Sequence, residues 1–173
     1  MNTSRKLLLA SGALVVATAM APSAFAQASA TTSANASVTV FQPIAVTKAT
    51  DLAFGRVIRT STAPTVYTVS EADGTTSVSG GNGIFTSGGA TPGRATFNVS
   101  GEGSAVFAIA SDAAVSANGI TINLVKSGAT GTLSGTLGTA GTASFGVGGN
   151  VTLSSNSPTG TASGSFNVTV SYN

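Results

Sequence analysis

Carboxylates are the side chains in this sequence that are best suited to catalysis, and they are few. The 173 residues include five Asp or Glu and seven Lys or Arg, but no His, Cys or Trp. The carboxylates are Asp51, Glu71, Asp73, Glu102 and Asp112. Without His or Cys, the chain lacks the residues for His-based triads, thiol nucleophiles and the usual zinc sites.

Two carboxylates acting as general acid and base would have to converge on one bond. Glu71 and Asp73 are the pair close in sequence, and their Glu-Ala-Asp-Gly run is typical of a turn with solvated charges. A Ser or Thr nucleophile would need Lys48 or Lys126 as its base, and neither lies in a recognisable motif. The sequence therefore favours a non-enzymatic protein with no metal ion and no cofactor.

The first 26 residues have the pattern of a secretory signal peptide. Arg5 and Lys6 precede an apolar run over 7–20, and an Ala-Phe-Ala cleavage pattern follows at 24–26. The apolar run is short for a membrane-spanning helix, and no later stretch is apolar enough to span a bilayer. We expect cleavage before Gln27, transit through the periplasm, and a final location at the cell surface or outside the cell.

Cleavage at that point removes two basic residues and leaves five basic and five acidic ones, so the net charge becomes zero. This balance gives no support to binding of nucleic acid or of anionic membranes. Because an exported domain without Cys has no disulfides, hydrogen-bonded sheet and apolar burial must hold the fold together.

Short alternating runs of apolar and polar residues indicate an all-β domain. Ser and Thr make up 50 residues and Gly 22, a composition that suits strands and turns better than helices. Turn-forming residues separate the runs. We predict strands at 37–47, 52–58, 65–70, 95–100, 105–110, 120–126, 151–153 and 165–172. The expected fold is a single β-sandwich over residues 37–173, preceded by an N-terminal extension over 27–36.

The last of these runs alternates without a fault up to the end of the sequence. Its apolar face comprises Phe166, Val168, Val170 and Tyr172. This pattern predicts a half-buried C-terminal strand. We expect Phe166, and Phe54 in an earlier strand, to lie inside the core.

Two glycine-rich stretches, 80–93 and 127–149, are predicted to be ordered loops, the second with a weak hairpin pattern. A binding site in these loops would gain from exposed aromatic residues. Phe41, Tyr67 and Phe85 are the candidates.

The segment 28–40, here called the N-terminal arm, alternates small side chains with polar ones. Its less polar face comprises Ala28, Ala30, Thr32, Ala34, Ala36, Val38 and Val40. Two interpretations stay open. The arm is either a Ser/Thr/Ala linker between the signal peptide and the domain, or a donor strand that completes the sheet of a neighbouring subunit.

A resemblance covers essentially the whole chain after the signal peptide. The motifs that carry it are Pro43-Ile44-x-Val46, Asp51-Leu52-x-Phe54-Gly55, Ala95-x-Phe97-x-Val99-x-Gly101, Gly148-Gly149-x-Val151-x-Leu153 and Gly164-x-Phe166-x-Val168-x-Val170-x-Tyr172-Asn173. In this order and spacing, the chain resembles a bacterial family of exported domains of unknown function, number 4402. The Leu-x-Phe-Gly element and the terminal strand also resemble those of Mat-type and spore-coat-U-type fimbrial subunits, although the latter commonly carry cysteines.

This resemblance implies an immunoglobulin-like β-sandwich that lacks one strand and is completed by donor-strand exchange. The implied function is that of a structural subunit of a pilus-like surface fibre that assembles from copies of itself. A periplasmic chaperone and an outer-membrane usher would be its partners, with 166–172 as the terminal strand. The alternative function is a monomeric secreted or cell-surface binding module for glycans or surface adhesion.

Overall fold

The computed structural model describes residues 29–173, so the predicted signal peptide and Ala28 lie outside the described residues. The described part contains strands and no helix. The strands are β1 (Ala45–Thr50), β2 (Arg56–Ile58), β3 (Thr65–Val69), β4 (Thr76–Gly80), β5 (Ile84–Thr86), β6 (Ala95–Glu102), β7 (Val106–Ser111), β8 (Ala114–Ala117), β9 (Ile120–Lys126), β10 (Thr130–Thr132), β11 (Ala140–Leu153) and β12 (Val168–Tyr172). Residues 39–173 form one compact unit.

The larger sheet is organised around the 14-residue strand β11. Its order is β1-β6-β11-β3-β4, with β9 paired to β11 and β8 paired to β9. The first half of β11 pairs with β6, and its second half pairs with β3. Val147 faces Ala95 of β6 and also Lys126 of β9, so β9 lies along the opposite edge of β11.

Glycines in β11 allow neighbouring backbone to approach closely. A Cβ atom at Gly148 would lie 2.2 Å from the Val69 carbonyl oxygen, and one at Gly149 would lie 2.4 Å from the Asn123 carbonyl oxygen. Both distances are shorter than any normal contact, so a larger residue would force the strands apart.

A smaller sheet, with the order β10-β7-β12, packs on the larger one. The core between them contains Phe97 and Phe145, whose rings stack at 5.3 Å between centroids, together with Phe107 and Leu133. Burial of these side chains from both sheets makes the fold an all-β sandwich, which confirms the predicted class.

A second, smaller core lies beneath the two-stranded ribbon formed by β2 and β5. Tyr67, Val151 and Leu153 are buried there. The Phe85 ring meets the Tyr67 ring edge-on at 5.4 Å, and the Tyr67 hydroxyl donates a hydrogen bond to the Ile58 carbonyl oxygen. Burial raises the pKa of the Tyr67 phenol.

Several strand predictions need correction. The strand predicted over 37–47 begins only at Ala45, because residues 29–44 form no sheet hydrogen bonds. In the predicted run 52–58, only 56–58 form a strand, while Ala53 makes an isolated bridge to Gly93. Both glycine-rich stretches contain strands: β5 in the first, and β10 with the start of β11 in the second. Phe54 and Phe166 are half-buried rather than fully enclosed.

Candidate functional site

The sandwich has two strands at sheet edges that lie side by side across its layers. β1 ends the larger sheet and β12 ends the smaller one, and within residues 29–173 neither strand has a partner on its outer edge. The two strands contact each other across the gap between the sheets. We use the name open groove for the strip of half-buried side chains between these two edges. Unpaired backbone N–H and C=O groups along a strand edge are a template for pairing with another strand.

Apolar side chains line the open groove and are only partly covered. The side chains that line it are half-buried and pack on the first core: Ile44, Val46, Leu52, Phe166, Val168, Val170 and Tyr172. The structure therefore brings together all four residues of the predicted terminal strand. Three of them lie in β12, and Phe166 comes just before it.

A depression of about 450 Å³ lies at the Phe166 end of this groove. Leu52 and Phe97 line it together with Phe166, whose ring meets the Phe97 ring at 6.2 Å between centroids. Lys48 and Asp51 stand at its border and form an exposed ion pair at 2.6 Å. The groove thus reaches the phenylalanine layer of the core at this end.

A hydrogen-bonded cluster closes the opposite end of the groove, where the chain enters β1. The Tyr172 hydroxyl donates to the Gln42 carbonyl oxygen at 2.6 Å and accepts from the Glu102 backbone N–H at 2.7 Å. The Glu102 carboxylate is buried, with 1% of the residue exposed. It accepts hydrogen bonds from the backbone N–H groups of Gln42 (3.1 Å) and Gly138. The Phe41 ring meets the Tyr172 ring edge-on.

We call these groups the Gln42 anchor, because they fix the backbone that follows the N-terminal arm beside the end of β12. Sequence reasoning missed Gln42 and Glu102 as functional residues. Glu102 is drawn inside by the pairing of β6 with β11, a contact between distant segments that no local sequence signal reveals.

The described residues of the N-terminal arm, 29–40, are exposed and form no strand. These include Ala30, Thr32, Ala34 and Ala36 of the predicted donor face. Val38 and Val40 are 85% and 79% exposed. Two β-branched apolar side chains therefore remain in water at the end of the arm that adjoins the domain.

The carboxylates occupy separate structural roles. Asp73 caps its own turn, since its carboxylate accepts from the Thr75 backbone N–H at 3.0 Å. Asp112 accepts from the Asn167 N–H at 2.7 Å, just before β12. The described part of the chain contains no group of three Asp or Glu side chains placed to hold a metal ion. It also contains no helix that is long and apolar enough to cross a membrane.

The aromatic residues considered for a glycan site lie in two different clusters. Tyr67 is fully buried and Phe85 is half-buried against it, while Phe41 packs on Tyr172 at the other core. Tyr67 is therefore not an exposed aromatic residue, as it would have to be for such a site, whereas Phe41 is 46% exposed.

The fold and the groove define an all-β sandwich domain in which the open edges of β1 and β12 lie next to each other. A family model described as "Domain of unknown function (DUF4402)" matches residues 44–172, and the chain belongs to this family. No curated protein and no solved structure matches the chain significantly.

Proposed function

We propose that this protein is a structural, non-enzymatic subunit of a bacterial surface fibre, and that its copies join by donor-strand complementation. The observation that carries the proposal is the open groove, where two unpaired strand edges flank a half-buried apolar surface. Such an edge invites a further strand, because its backbone groups and apolar side chains gain partners together.

The N-terminal arm of another copy is the proposed donor. At about 3.3 Å per residue, thirteen extended residues span about 43 Å, enough to follow the whole length of β12 and the segment before it. Its small alternate side chains suit a shallow groove. The exposed Val38 and Val40 would be the largest side chains to enter it.

Secretion through the periplasm to the cell surface belongs to the same proposal. A subunit with an open groove would aggregate before assembly unless another strand protected the groove. A periplasmic chaperone in that role and an outer-membrane usher as the assembly platform are therefore the proposed partners. The resemblance of the Leu-x-Phe-Gly element and of the terminal strand to fimbrial subunits supports this proposal.

The test is to delete residues 27–36 and follow assembly by electron microscopy and by heat-sensitive ladders on gels. The variant that lacks residues 27–36 should accept an arm from another copy but donate none. It should therefore shorten wild-type polymers when the two proteins are mixed. A wild-type protein that is a stable monomer without any chaperone, and that behaves like the deletion, would refute the proposal.

Point variants sharpen this test, because the two faces of the arm should respond differently. Val38→Asp places an unpaired carboxylate in an apolar groove and should abolish ladders, whereas Thr39→Asp lies on the opposite face and should preserve them. A second matched pair consists of two single variants. Ala34→Asp, on the donor face, should abolish ladders, and Ser33→Asp, on the opposite face, should preserve them. Equal effects within each pair would contradict strand insertion with this alternation.

The alternative function is a monomeric secreted or cell-surface binding module. The observation that favours it is a cleft of about 470 Å³ whose lining includes Phe54, Ile120 and Ile122. A monomeric wild-type protein in the assembly experiment would support this alternative.

A further inference from the structure

A second concave site lies over the smaller core. It is a cleft of about 470 Å³ between the segment that leads into β2 and the faces of β9 and β11, with residues 160–162 along one border. A volume in this range is typical of small-molecule sites. We call it the β2–β9 cleft.

The walls of the β2–β9 cleft combine apolar side chains with polar backbone and side-chain groups. Its apolar side chains are Phe54, Val57, Ile120, Ile122, Val151 and Leu153. Val151 and Leu153 are buried beneath it, whereas the other four are only half-buried, so apolar surface faces the cleft. Gly55 and Gly89 contribute backbone to the border. Gly55 has a φ of +67°, and a Cβ atom there would lie 2.6 Å from the Ala90 carbonyl oxygen.

One cation stands at this cleft without a counter-charge. Arg56 lines it, and no Asp or Glu does. Across residues 29–173, the one ion pair joins Lys48 to Asp51, so the Arg56 guanidinium has no carboxylate partner there. Arg59, which directly follows this strand, already has a partner, because it donates to the Ser157 carbonyl oxygen.

We propose that the β2–β9 cleft binds an amphipathic anion, a molecule with a hydrocarbon body and a terminal carboxylate such as a medium-chain fatty acid. The hydrocarbon would displace water from the half-buried apolar side chains of the cleft. The carboxylate would pair with Arg56, whose planar guanidinium suits a two-oxygen acceptor. This proposal does not depend on fibre assembly, since the cleft and the open groove share no lining residue.

The test uses decanoate, below its micelle concentration, as the probe and the Ile methyl groups of the full exported chain as reporters. Ile120 and Ile122 line the cleft, Ile44 lines the open groove, and Ile109 is buried in the first core. In methyl-labelled NMR spectra, saturable shifts should appear at Ile120 and Ile122 and be absent at Ile109 and Ile44. Shifts at Ile44 instead, equal shifts at all four, or no saturable shift would overturn the proposal.

Two variants test the role of the Arg56 charge and the location of the ligand in the cleft. Arg56→Gln should weaken decanoate binding about fivefold, the upper end for an exposed ion pair, and leave binding of decyl alcohol unchanged. Lys48→Gln is the control, since it removes one positive charge outside the cleft. Ala162→Phe, in a segment without strand structure, should block both probes while the Ile109 signal stays in place. Undiminished decanoate binding in Arg56→Gln or in Ala162→Phe would overturn the proposal.

Discussion

Replacing the buried carboxylate of the Gln42 anchor should destabilise the fold strongly. Glu102→Gln keeps the shape of the side chain but exchanges one acceptor oxygen for an NH₂ group. Because both oxygens accept backbone N–H groups, from Gln42 and from Gly138, one of these donors would then face another donor. Hydrogen bonds to a charged group are worth about 1.5–3 kcal/mol, and leaving a buried donor unpaired costs about 1–3 kcal/mol. We expect a loss of about 2–4 kcal/mol in the free energy of unfolding.

Urea unfolding followed by far-ultraviolet circular dichroism would measure this loss. With a slope of about 2 kcal/mol per molar urea, the midpoint should fall by about 1–2 M. Glu71→Gln is the matched control, because it makes the same chemical change in a turn, where we expect a change within about 0.5 kcal/mol. Equal midpoints for the two variants would refute the reasoning.

A double-mutant cycle with Tyr172→Phe tests whether the anchor acts as one unit. The Tyr172 hydroxyl and the Glu102 carboxylate both hold the Gln42 backbone, one through its carbonyl oxygen and the other through its N–H. We therefore expect a coupling of about 0.5–3 kcal/mol between the two substitutions. Strict additivity would show that each group acts alone.

Three other outcomes are expected. Phe97→Ala should cost about 3–5 kcal/mol, whereas the half-buried Phe166→Ala should cost less, about 1–3 kcal/mol, as measured by urea midpoints; the reverse order would contradict the observed burial. The hydrogen bond from the Thr75 backbone N–H lowers the pKa of Asp73 in the folded protein. The Asp73 carboxylate should therefore stabilise the fold at pH values above its pKa in the unfolded chain, and this stabilisation should disappear as the pH falls through its pKa in the folded protein. If Asp73→Asn differed from wild type by the same free energy of unfolding at pH 7 and at pH 2, this expectation would be contradicted. Adding a chelator should leave the β-rich spectrum unchanged, and unfolding by chelator would reveal a metal requirement.

The sequence predicted those strands whose side chains alternate clearly. β12 lies within the predicted run 165–172, because Phe166, Val168, Val170 and Tyr172 carry a strong period of two. β11 was predicted only at its end, because four glycines dilute the pattern over 140–150. The N-terminal strand was predicted to begin too early, because alternation alone does not provide a partner strand for 37–44.

The candidate site was predictable in part for the same reasons. The apolar face of β12 follows from local alternation, but its open edge depends on which strands neighbour it, and this is set by contacts between distant segments. The burial of Glu102 depends on such contacts too, because Ala140 of β11 pairs opposite it. The β2–β9 cleft draws residues from segments spread over 54–162, so no single stretch of sequence indicates it.

The position of β11 in the chain constrains when folding can begin. β11 separates β9 from β3 and β6, yet it starts at residue 140, and its Gly149 pairs with Val69, 80 positions earlier. Topologies dominated by such long-range pairings fold slowly, typically in milliseconds to seconds. A chain that ends before residue 140 has no strand to join β3 to β6, so we expect it to stay unfolded and sensitive to proteases until β11 is present.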